Sequence, residues 1–295
     1  MNARITIVTP SFNQGRYIER TVQSVLSQPI TGIEYFVMDG GSTDDTSAVL
    51  QKYTTQLHFI SEPDHGQAHA INKGLKKATS DIIGWLNSDD IYYPNALPVI
   101  LDFFAKNPEI DIVYGDVNHI DEHDKIFDKY PVQAWNFQEL KKICYISQPA
   151  VFFRSRIIQQ YGLLDESLHF CMDYEYWLRL GLCRAKFAYL PVTLAGTRLY
   201  QQTKTLSAPM AAHRETLQML RRRLGKVPVI WLINHASLLI KQKTIWRYPE
   251  WRFVMAMWAV TSYLTLVYNG IFRGIKSLLT VPIRMLAIHR KKNEV

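Results

Sequence analysis

The chain has 295 residues, of which 47% are hydrophobic, 20% charged and 12% aromatic, and this composition excludes a disordered, collagen-like or disulfide-stabilised protein. The net charge of +8 is uneven: residues 221–295 contain 14 Lys and Arg against 2 Asp and Glu, whereas residues 1–220 contain 20 against 24. Because the longer first part is acidic and nucleic-acid binding needs a basic surface, we expect no nucleic-acid partner.

Cysteine content and the N-terminal sequence indicate a reducing compartment. The three scattered cysteines, Cys144, Cys171 and Cys183, are too few for a disulfide framework or a cysteine-based zinc site. The apolar run at residues 5–8 is too short for a signal peptide. A cytoplasmic location is therefore expected.

The first 110 residues alternate strand and helix patterns. Apolar or β-branched runs predict strands at 5–8, 35–38, 57–60 and 82–86, and amphipathic spacing predicts helices at 17–27, 46–53 and 67–78. Further strand-like runs occupy 112–114, 150–153 and 187–190, and a helix is predicted to begin near Asp173. This order predicts an α/β fold with a Rossmann-like, mostly parallel sheet and helices on both faces.

Polar clusters follow three of the predicted strands, at residues 9–13, 39–44 and 87–90. Ligands bind at the carboxyl ends of the strands in such sheets, so we expect the three clusters to meet at one edge.

The cluster Asn87-Ser88-Asp89-Asp90 carries two adjacent carboxylates directly after a buried strand. Adjacent carboxylates repel each other unless a cation or hydrogen-bond donors compensate their charge, and hard divalent cations pair carboxylate oxygens with the phosphate oxygens of nucleotides. The alternative interpretation is a helix N-cap.

Four other segments supply candidate polar groups. Asp39 precedes a flexible Gly40-Gly41 turn that lets a ligand approach the backbone, although a simple strand–helix turn would use the same residues. Lys73 could contact a phosphate or be a solvated surface lysine. Asp173 begins an apolar helix, as a general base or as an N-cap. Arg198, beyond a predicted strand end at Pro191, could neutralise a diphosphate or be a surface charge.

Taken in order, these motifs resemble the inverting family 2 glycosyltransferases with a GT-A fold over roughly residues 4–207. The similar segments are Thr9–Asn13, Asp39–Asp44, Asn87–Asp90, Gln148–Phe153, Gly162–Glu166 and Met172-Asp173. Glu62–Gly74 together with Trp85–Asp90 is most similar to a bacterial branch that builds O-antigen and exopolysaccharide units.

The resemblance implies a metal-dependent hexosyl-type transferase. It would move a sugar from a nucleoside-diphosphate donor, expected to be UDP-linked, to a hydroxyl of a saccharide or lipid-linked acceptor. Asp89 would coordinate Mn²⁺ or Mg²⁺ with support from Asp90, and Asp173 would deprotonate the acceptor. Donor binding would involve Thr9, Pro10, Asp39, Lys73, Ser88 and Arg198.

The sequence departs from the family pattern at two positions. Asn87 replaces the usual first Asp of the metal motif, so metal binding would depend mostly on Asp89. Met172 replaces the acid that often precedes the catalytic Asp, which removes a carboxylate that could tune the pKa of the base.

The composition changes near residue 221, which predicts a glycosyltransferase domain at 1–220 and a basic, apolar helical region at 221–295. Uncharged runs at Val227–Ile240 and Phe253–Phe272 lie between basic clusters, a pattern typical of helices in an anionic membrane interface. We expect a peripheral or monotopic protein at the cytoplasmic face of the bacterial inner membrane. An ordinary helical subdomain and a membrane span are the alternatives.

Two rival functions remain from other classes. A sugar-nucleotide pyrophosphorylase should have a Gly-rich, basic phosphate loop at its N-terminus, and residues 9–15 lack one. An inactive membrane-bound scaffold would not need Asp39, Asp89 and Asp173, all of which are present.

Overall fold

The structure is a computed structural model that describes residues 4–243 and 250–270. The chain forms two compact units. The first unit contains Met1–Phe137 and Cys144–Leu206, and the second contains Gln138–Ile143 and Ser207–Val295. The compositional boundary at residue 221 lies inside a helix of the second unit, Pro209–Leu224.

The strands of the first unit form one sheet. Their bounds are β1 Ile5–Ser11, β2 Ile33–Asp39, β3 His58–Ser61, β4 Ile82–Trp85, β5 Ile91–Tyr92, β6 Ile112–Ile120, β7 Ile126–Lys129, β8 Val151–Arg154 and β9 Phe187–Arg198. The strand order is β3-β2-β1-β4-β8-β6-β9-β5, and β7 pairs with β6.

Eight helices begin within the described residues of the first unit: α1 Ile18–Leu26, α2 Thr46–Gln51, α3 Gln67–Lys77, α4 Ala96–Lys106, α5 Phe137–Leu140, α6 Arg156–Tyr161, α7 Met172–Leu182 and α8 Lys204–Ser207. A 3₁₀ turn, Gln148–Ala150, precedes β8. In the second unit, the described residues form α9 Pro209–Leu224, α10 Val229–Lys243 and α11 Glu250–Asn269.

Helices cover both faces of the sheet, as the sequence predicts. Every residue of β1 is buried. Ile5 and Ile7 share a core cluster with Ile18 of α1. Val8, which points to the opposite face because strand side chains alternate, packs against α3. There a Cβ on Gly74 would lie 2.4 Å from Val8 Cγ1, so only glycine permits this approach.

The expectation of a mostly parallel sheet is correct in part, since β6 and β9 also pair in parallel. Strands β1 to β4 pair in parallel, but β8 is antiparallel to both β4 and β6, and β5 is antiparallel to β9. Hydrophobic periodicity identifies a strand but not its direction, since direction depends on partners remote in sequence.

Strand β9 is longer than predicted. It continues through Pro191 to Arg198, and its register against β6 shifts between Gly115 and Asp116. Proline cannot donate a ladder hydrogen bond, so it is tolerated at such an irregularity.

Strand directions determine which loops share an edge. Since β6 is antiparallel to β8, which is antiparallel to β4, strands β6 and β9 run in the same direction as β1, β2 and β4. The carboxyl ends of these strands therefore meet at one edge of the sheet, hereafter the C-terminal edge.

None of the helices within the described residues combines the length and apolar composition that a membrane crossing requires. Residues 271 and 272 of the apolar run Phe253–Phe272, and the basic residues beyond them, lie outside the described residues.

Candidate active site

Asp39 ends β2 at the C-terminal edge, fully buried. Its Oδ2 accepts hydrogen bonds from Ser42 N at 2.9 Å, Gly41 N at 3.2 Å and Ser61 Oγ at 2.7 Å, and its Oδ1 accepts one from Ser42 Oγ at 2.5 Å. A Cβ on Gly40 would lie 2.7 Å from Asp64 Oδ2, so glycine lets the loops after β2 and β3 approach closely. The Asp39 carboxylate holds the shape of this turn.

The end of β1 lies beside the Asp39 turn. Thr9 is buried, and its hydroxyl oxygen lies 3.1 Å from Tyr35 Oη; burial raises the pKa of Tyr35. Pro10 is buried in the register opposite Met38. The Thr9 hydroxyl therefore already has a partner in Tyr35, and donor binding by Thr9 and Pro10 stays a prediction.

The loop after β1 is tied to the loop after β2. Asn13 has a positive φ of 53°, its N–H donates to Ser42 Oγ at 2.7 Å, and its side-chain oxygen accepts from Thr43 N at 2.9 Å. Asp44 Oδ2 accepts from Gly15 N at 2.9 Å. Burial alone would raise the pKa of Asp44, but the hydrogen bonds that it accepts, first of all from Thr46, lower it below its ordinary value. The two loops form one hydrogen-bonded surface.

Lys73 lies on α3 and pairs with Glu62 at 3.0 Å, with 15% of its side chain exposed. Glu62 N in turn donates to Asp39 O at 3.0 Å. This ion pair places the lysine next to the end of β2, so contact with a donor phosphate would involve an exchange of partners.

The cluster after β4 is organised around Asn87. Asn87 Oδ1 accepts from Trp85 Nε1 at 2.9 Å and from Gln67 Nε2 at 2.8 Å. Ser88 is buried, and its carbonyl oxygen accepts from Thr21 Oγ1 at 2.9 Å. These contacts fix the Asn87 amide, which replaces the usual first Asp. The carboxylates of this cluster are therefore those of Asp89 and Asp90.

Asp89 and Asp90 face different surroundings. Asp89 is partly exposed, and its Oδ2 accepts from Tyr200 Oη at 3.0 Å. Asp90 is 3% exposed, and its Oδ1 accepts from Arg198 N at 2.9 Å. Asp89 is therefore accessible at the C-terminal edge, whereas Asp90 is buried and binds the backbone of β9.

Burial raises the pKa of Asp89 above its ordinary value, although the hydrogen bond from Tyr200 opposes this shift. Burial and then the charge of Asp89 raise the pKa of Asp90. Both shifts disfavour a state in which the two adjacent carboxyl groups are charged together. A divalent cation at Asp89 would supply compensating positive charge.

Arg198 is 2% exposed. Its Nε donates to Asp89 O at 2.9 Å, its Nη1 donates to Asp121 O at 2.6 Å and its Nη2 pairs with Asp124. The guanidinium carbon also lies 4.9 Å from the centre of the Tyr17 ring. The sequence predicts a contact with a diphosphate, but in the structure the guanidinium group joins the Asp89 loop to the turn between β6 and β7.

The structure adds three residues that sequence reasoning missed: Gln67, Tyr200 and Lys204. Lys204 Nζ donates to Gln67 Oε1 at 2.6 Å and to His169 O at 3.3 Å. Gln67 also binds Asn87, and the charge of Lys204 acts on Asp89. The only sequence signal for this network is a polar segment after an apolar strand, at residues 199–205.

Asp173 lies in the first turn of α7 and is partly exposed. Burial is the main reason that the pKa values of Cys144 and Tyr130 are raised, and the negative charge of Asp173 raises both further. His169, which Lys204 contacts, lies in the loop just before α7. The chain Asn87–Gln67–Lys204–His169 thus connects the start of α7 with the Asp89 loop.

A cavity of about 460 Å³ opens at the same edge, lined by residues 121–123 and 199–202. Tyr200 lines it and donates to Asp89. The volume lies within the range of about 300–1,000 Å³ typical of small-molecule sites.

The side chains at this edge fit a divalent cation that binds the substrate's phosphates as well as the protein. Residues 4–243 and 250–270 contain no cluster of three His, Cys, Asp or Glu side chains arranged to hold a metal. Magnesium-like cations, however, often bind one or two carboxylates together with the phosphates of the substrate. Asp89 is a carboxylate at the edge that suits this mode.

The mixed α/β sheet, with helices on its faces and carboxylates at the carboxyl edge of its strands, is a fold of the GT-A type. The sequence profile described as glycosyl transferase family 2 matches residues 6–162, more than half of the chain. The chain therefore belongs to glycosyl transferase family 2.

The relatives of this chain include an uncharacterized glycosyltransferase of Rickettsia prowazekii, 28% identical over 59% of this chain and 58% of the relative. A chondroitin synthase of Escherichia coli is 30% identical over 60% of this chain and 26% of its own length. The matches thus span less than two thirds of these relatives.

Solved structures share the fold. TarS residues 1–349 from S. aureus, in complex with UDP-GlcNAc, has a TM-score of 0.64 and 13% identity over 90% of this chain and 81% of that chain. The mannosyltransferase PcManGT of Pyrobaculum calidifontis, in complex with GDP-Man and Mn²⁺, has a TM-score of 0.56 and 15% identity over all of this chain and 81% of that chain.

Proposed function

We propose that the protein transfers a sugar from a nucleoside-diphosphate sugar to a hydroxyl group of a saccharide acceptor, with inversion at the anomeric carbon. The proposed nucleotide of the donor is UDP. The observation that carries this proposal is the Asn87–Gln67–Lys204–His169 chain. It connects the loop that carries Asp89 with the loop just before α7, the helix whose first turn contains the candidate base, Asp173.

The donor would occupy the C-terminal edge between the Asp39 turn and Asp89. The hydrogen-bonded loops after β1 and β2 offer a preformed surface for the base and ribose, and the cavity beside Tyr200 offers space next to Asp89. The complexes of the structurally similar proteins with UDP-GlcNAc and GDP-Man support a nucleotide-sugar donor.

Asp173 would accept the proton of the acceptor hydroxyl as its oxygen attacks the anomeric carbon. The bond from that carbon to the diphosphate breaks on the opposite side, and the diphosphate leaves with the bonding electrons. Lys204 would offset the charge that develops on the leaving group. A divalent cation held by Asp89 would, when bound, add Lewis-acid stabilisation of the same charge.

We propose a lipid-linked saccharide as acceptor, in the synthesis of a bacterial surface polysaccharide, and a peripheral or monotopic location at the cytoplasmic face of the inner membrane. The similarity to a chondroitin synthase supports a polysaccharide product. The excess of 14 basic over 2 acidic residues in 221–295 supports a location at an anionic surface.

The experiment is a screen for hydrolysis of nucleotide sugars, donor by donor, with Mn²⁺ and with Mg²⁺. The wild type should release a nucleoside diphosphate from one donor class, and the Asp89→Ala variant should release none above background. Lys106→Ala is the matched control, since this exposed lysine pairs with Asp102 away from the carboxyl edge. No release from any donor by the wild type would contradict the proposed function.

A further inference from the structure

Helix α11 buries Met257 and Leu264 together with two threonines, and it also exposes large apolar side chains. Thr261 and Thr265 are fully buried, and Thr265 Oγ1 donates to Thr261 O at 2.7 Å. On the outward side, Met255 is 62% exposed, Trp258 50% and Tyr263 66%. Leu266 and Val267 continue the same side at 38% and 48%.

The outward residues spread over roughly half of the helix circumference and form one apolar face, hereafter the α11 stripe: Met255, Trp258, Tyr263, Leu266 and Val267. A helix on a water-facing surface normally presents polar residues outward. The outward side of α11 departs from this pattern, which points to contact with an apolar medium.

Positive charge lies at one end of the α11 stripe. Arg221 Nη1 donates to Val267 O at 3.3 Å. Asn269 exchanges two hydrogen bonds with the backbone of Val227, at 2.7 and 3.0 Å. These contacts hold the basic segment 221–226, which contains three arginines and Lys226, against the C-terminal end of α11.

Carboxylates are scarce around this surface. Glu215 is the single acidic residue in the sequence 207–243, and Glu250 is the next along the chain. An apolar stripe that ends in a basic segment is complementary to a bilayer surface, where acyl chains lie beneath anionic headgroups.

We propose that the α11 stripe inserts into the surface of an anionic lipid bilayer while segment 221–226 contacts its headgroups. The inference rests on the proposed location at the membrane and assigns the contact to one helix face. The helix lies in the plane of the interface, with Trp258 and Tyr263 at headgroup depth.

The test is co-sedimentation of the full chain with vesicles of phosphatidylcholine containing phosphatidylglycerol, and with vesicles of phosphatidylcholine alone. Substituting Trp258→Ser, Tyr263→Ser and Leu266→Ser together should weaken binding to the anionic vesicles at least about tenfold, because three apolar side chains lose their insertion. Arg221→Gln should weaken binding about fivefold on anionic vesicles and leave binding to neutral vesicles unchanged.

Two controls make the result specific. Ile126→Ser with Phe127→Ser removes two apolar residues that are 52% and 56% exposed on β7 of the first unit, and should not change vesicle binding. Trp258→Phe with Tyr263→Phe keeps the apolar surface and should retain most of it. Nucleotide-sugar hydrolysis is measured on the same samples, so loss of the proposed function is distinguished from loss of docking.

Equal vesicle binding by the wild type and the triple serine variant would overturn the proposal. So would equal binding of the wild type to neutral and anionic vesicles. If the wild type is a dimer that the triple variant dissociates, with no change in vesicle binding, the α11 stripe contacts a second copy of the chain instead.

Discussion

Replacing Arg198 with methionine tests whether this arginine positions the Asp89 loop or contacts the donor itself. The side chain is fully buried, and it binds Asp89 O, Asp121 O and the Asp124 carboxylate. Methionine fills part of the volume and makes none of these bonds. The substitution therefore separates the contacts seen in the structure from a direct role in catalysis.

The expected loss of stability follows from those contacts. Two carbonyl oxygens lose a donor, at about 1 kcal/mol each. Asp124 keeps its bond from Arg20 at 2.9 Å and is 34% exposed, so losing the second arginine costs about 1 kcal/mol more. The total of about 3 kcal/mol lies at the lower end of about 3–5 kcal/mol for breaking a buried ion pair.

The assay combines thermal unfolding with calorimetric binding of a nucleoside diphosphate in the presence of Mn²⁺. For a unit of this size, about 3 kcal/mol lowers the melting temperature by roughly 6–12 °C. Since Arg198 anchors the backbone of a candidate metal ligand, affinity should fall about tenfold, as is typical when a residue that supports a ligand is lost.

Arg154→Met is the matched control. Arg154 is also buried, donates to Ile110 O and Phe104 O, and pairs with Asp81, but it lies at the end of β8, on the opposite edge of the sheet. It should lose similar stability and keep nucleotide affinity. If Arg198→Met loses affinity but no stability, the guanidinium group contacts the diphosphate directly and the positioning role is wrong.

Four further predictions concern the candidate metal ligand, the candidate base, Lys204 and the packing of α3 on β1. Asp89→Ala should bind nucleoside diphosphate equally with Mn²⁺ and with EDTA, as titration calorimetry would measure; persistent metal dependence would place the cation elsewhere. Asp173→Asn should lower kcat by about 10²–10⁴-fold with nucleotide affinity kept, and a near-normal kcat would remove it as the base. Lys204→Ala should lower nucleotide affinity more than Lys204→Arg does, in the same calorimetric titration; equal affinities would show that its charge is not needed. Gly74→Ala should cost about 1–3 kcal/mol in urea unfolding, because its Cβ would meet Val8 Cγ1 at 2.4 Å; unchanged stability would mean that α3 shifts freely on β1.

The first half of the fold could be predicted from the sequence because its signals are local. Buried runs such as Ile5–Val8 and amphipathic spacing as in residues 67–78 depend on neighbours within a few turns, and the structure has β1 at Ile5–Ser11 and α3 at Gln67–Lys77. The helices on both faces follow from the same alternation. The clusters that begin with Asp39 and Asn87 follow their strands directly, as predicted.

The later strands show where local signals end. Residues 112–114 and 187–190 were predictable as strand cores, but the extension of β9 past Pro191 depends on the register shift against β6. The antiparallel direction of β8 likewise depends on its two neighbours in the sheet, β4 and β6.

Some candidate functional residues could be identified from the sequence, and others only from the tertiary structure. The sequence by itself placed Asp39, Asp89 and Asp173 at the ends of elements, because charged residues after apolar runs are visible in one dimension. Only the tertiary structure decided that Arg198 is buried beneath the Asp89 loop, and that Lys204 and Tyr200 reach that loop and its neighbour Gln67. Tyr200 and Asp89 are separated by 111 positions, and Lys204 and Gln67 by 137. The Tyr200 contact arises because β5, which directly follows the Asp89 loop, pairs with β9, so that the ends of distant strands meet. A side chain's partners therefore depend on strand order rather than on sequence spacing.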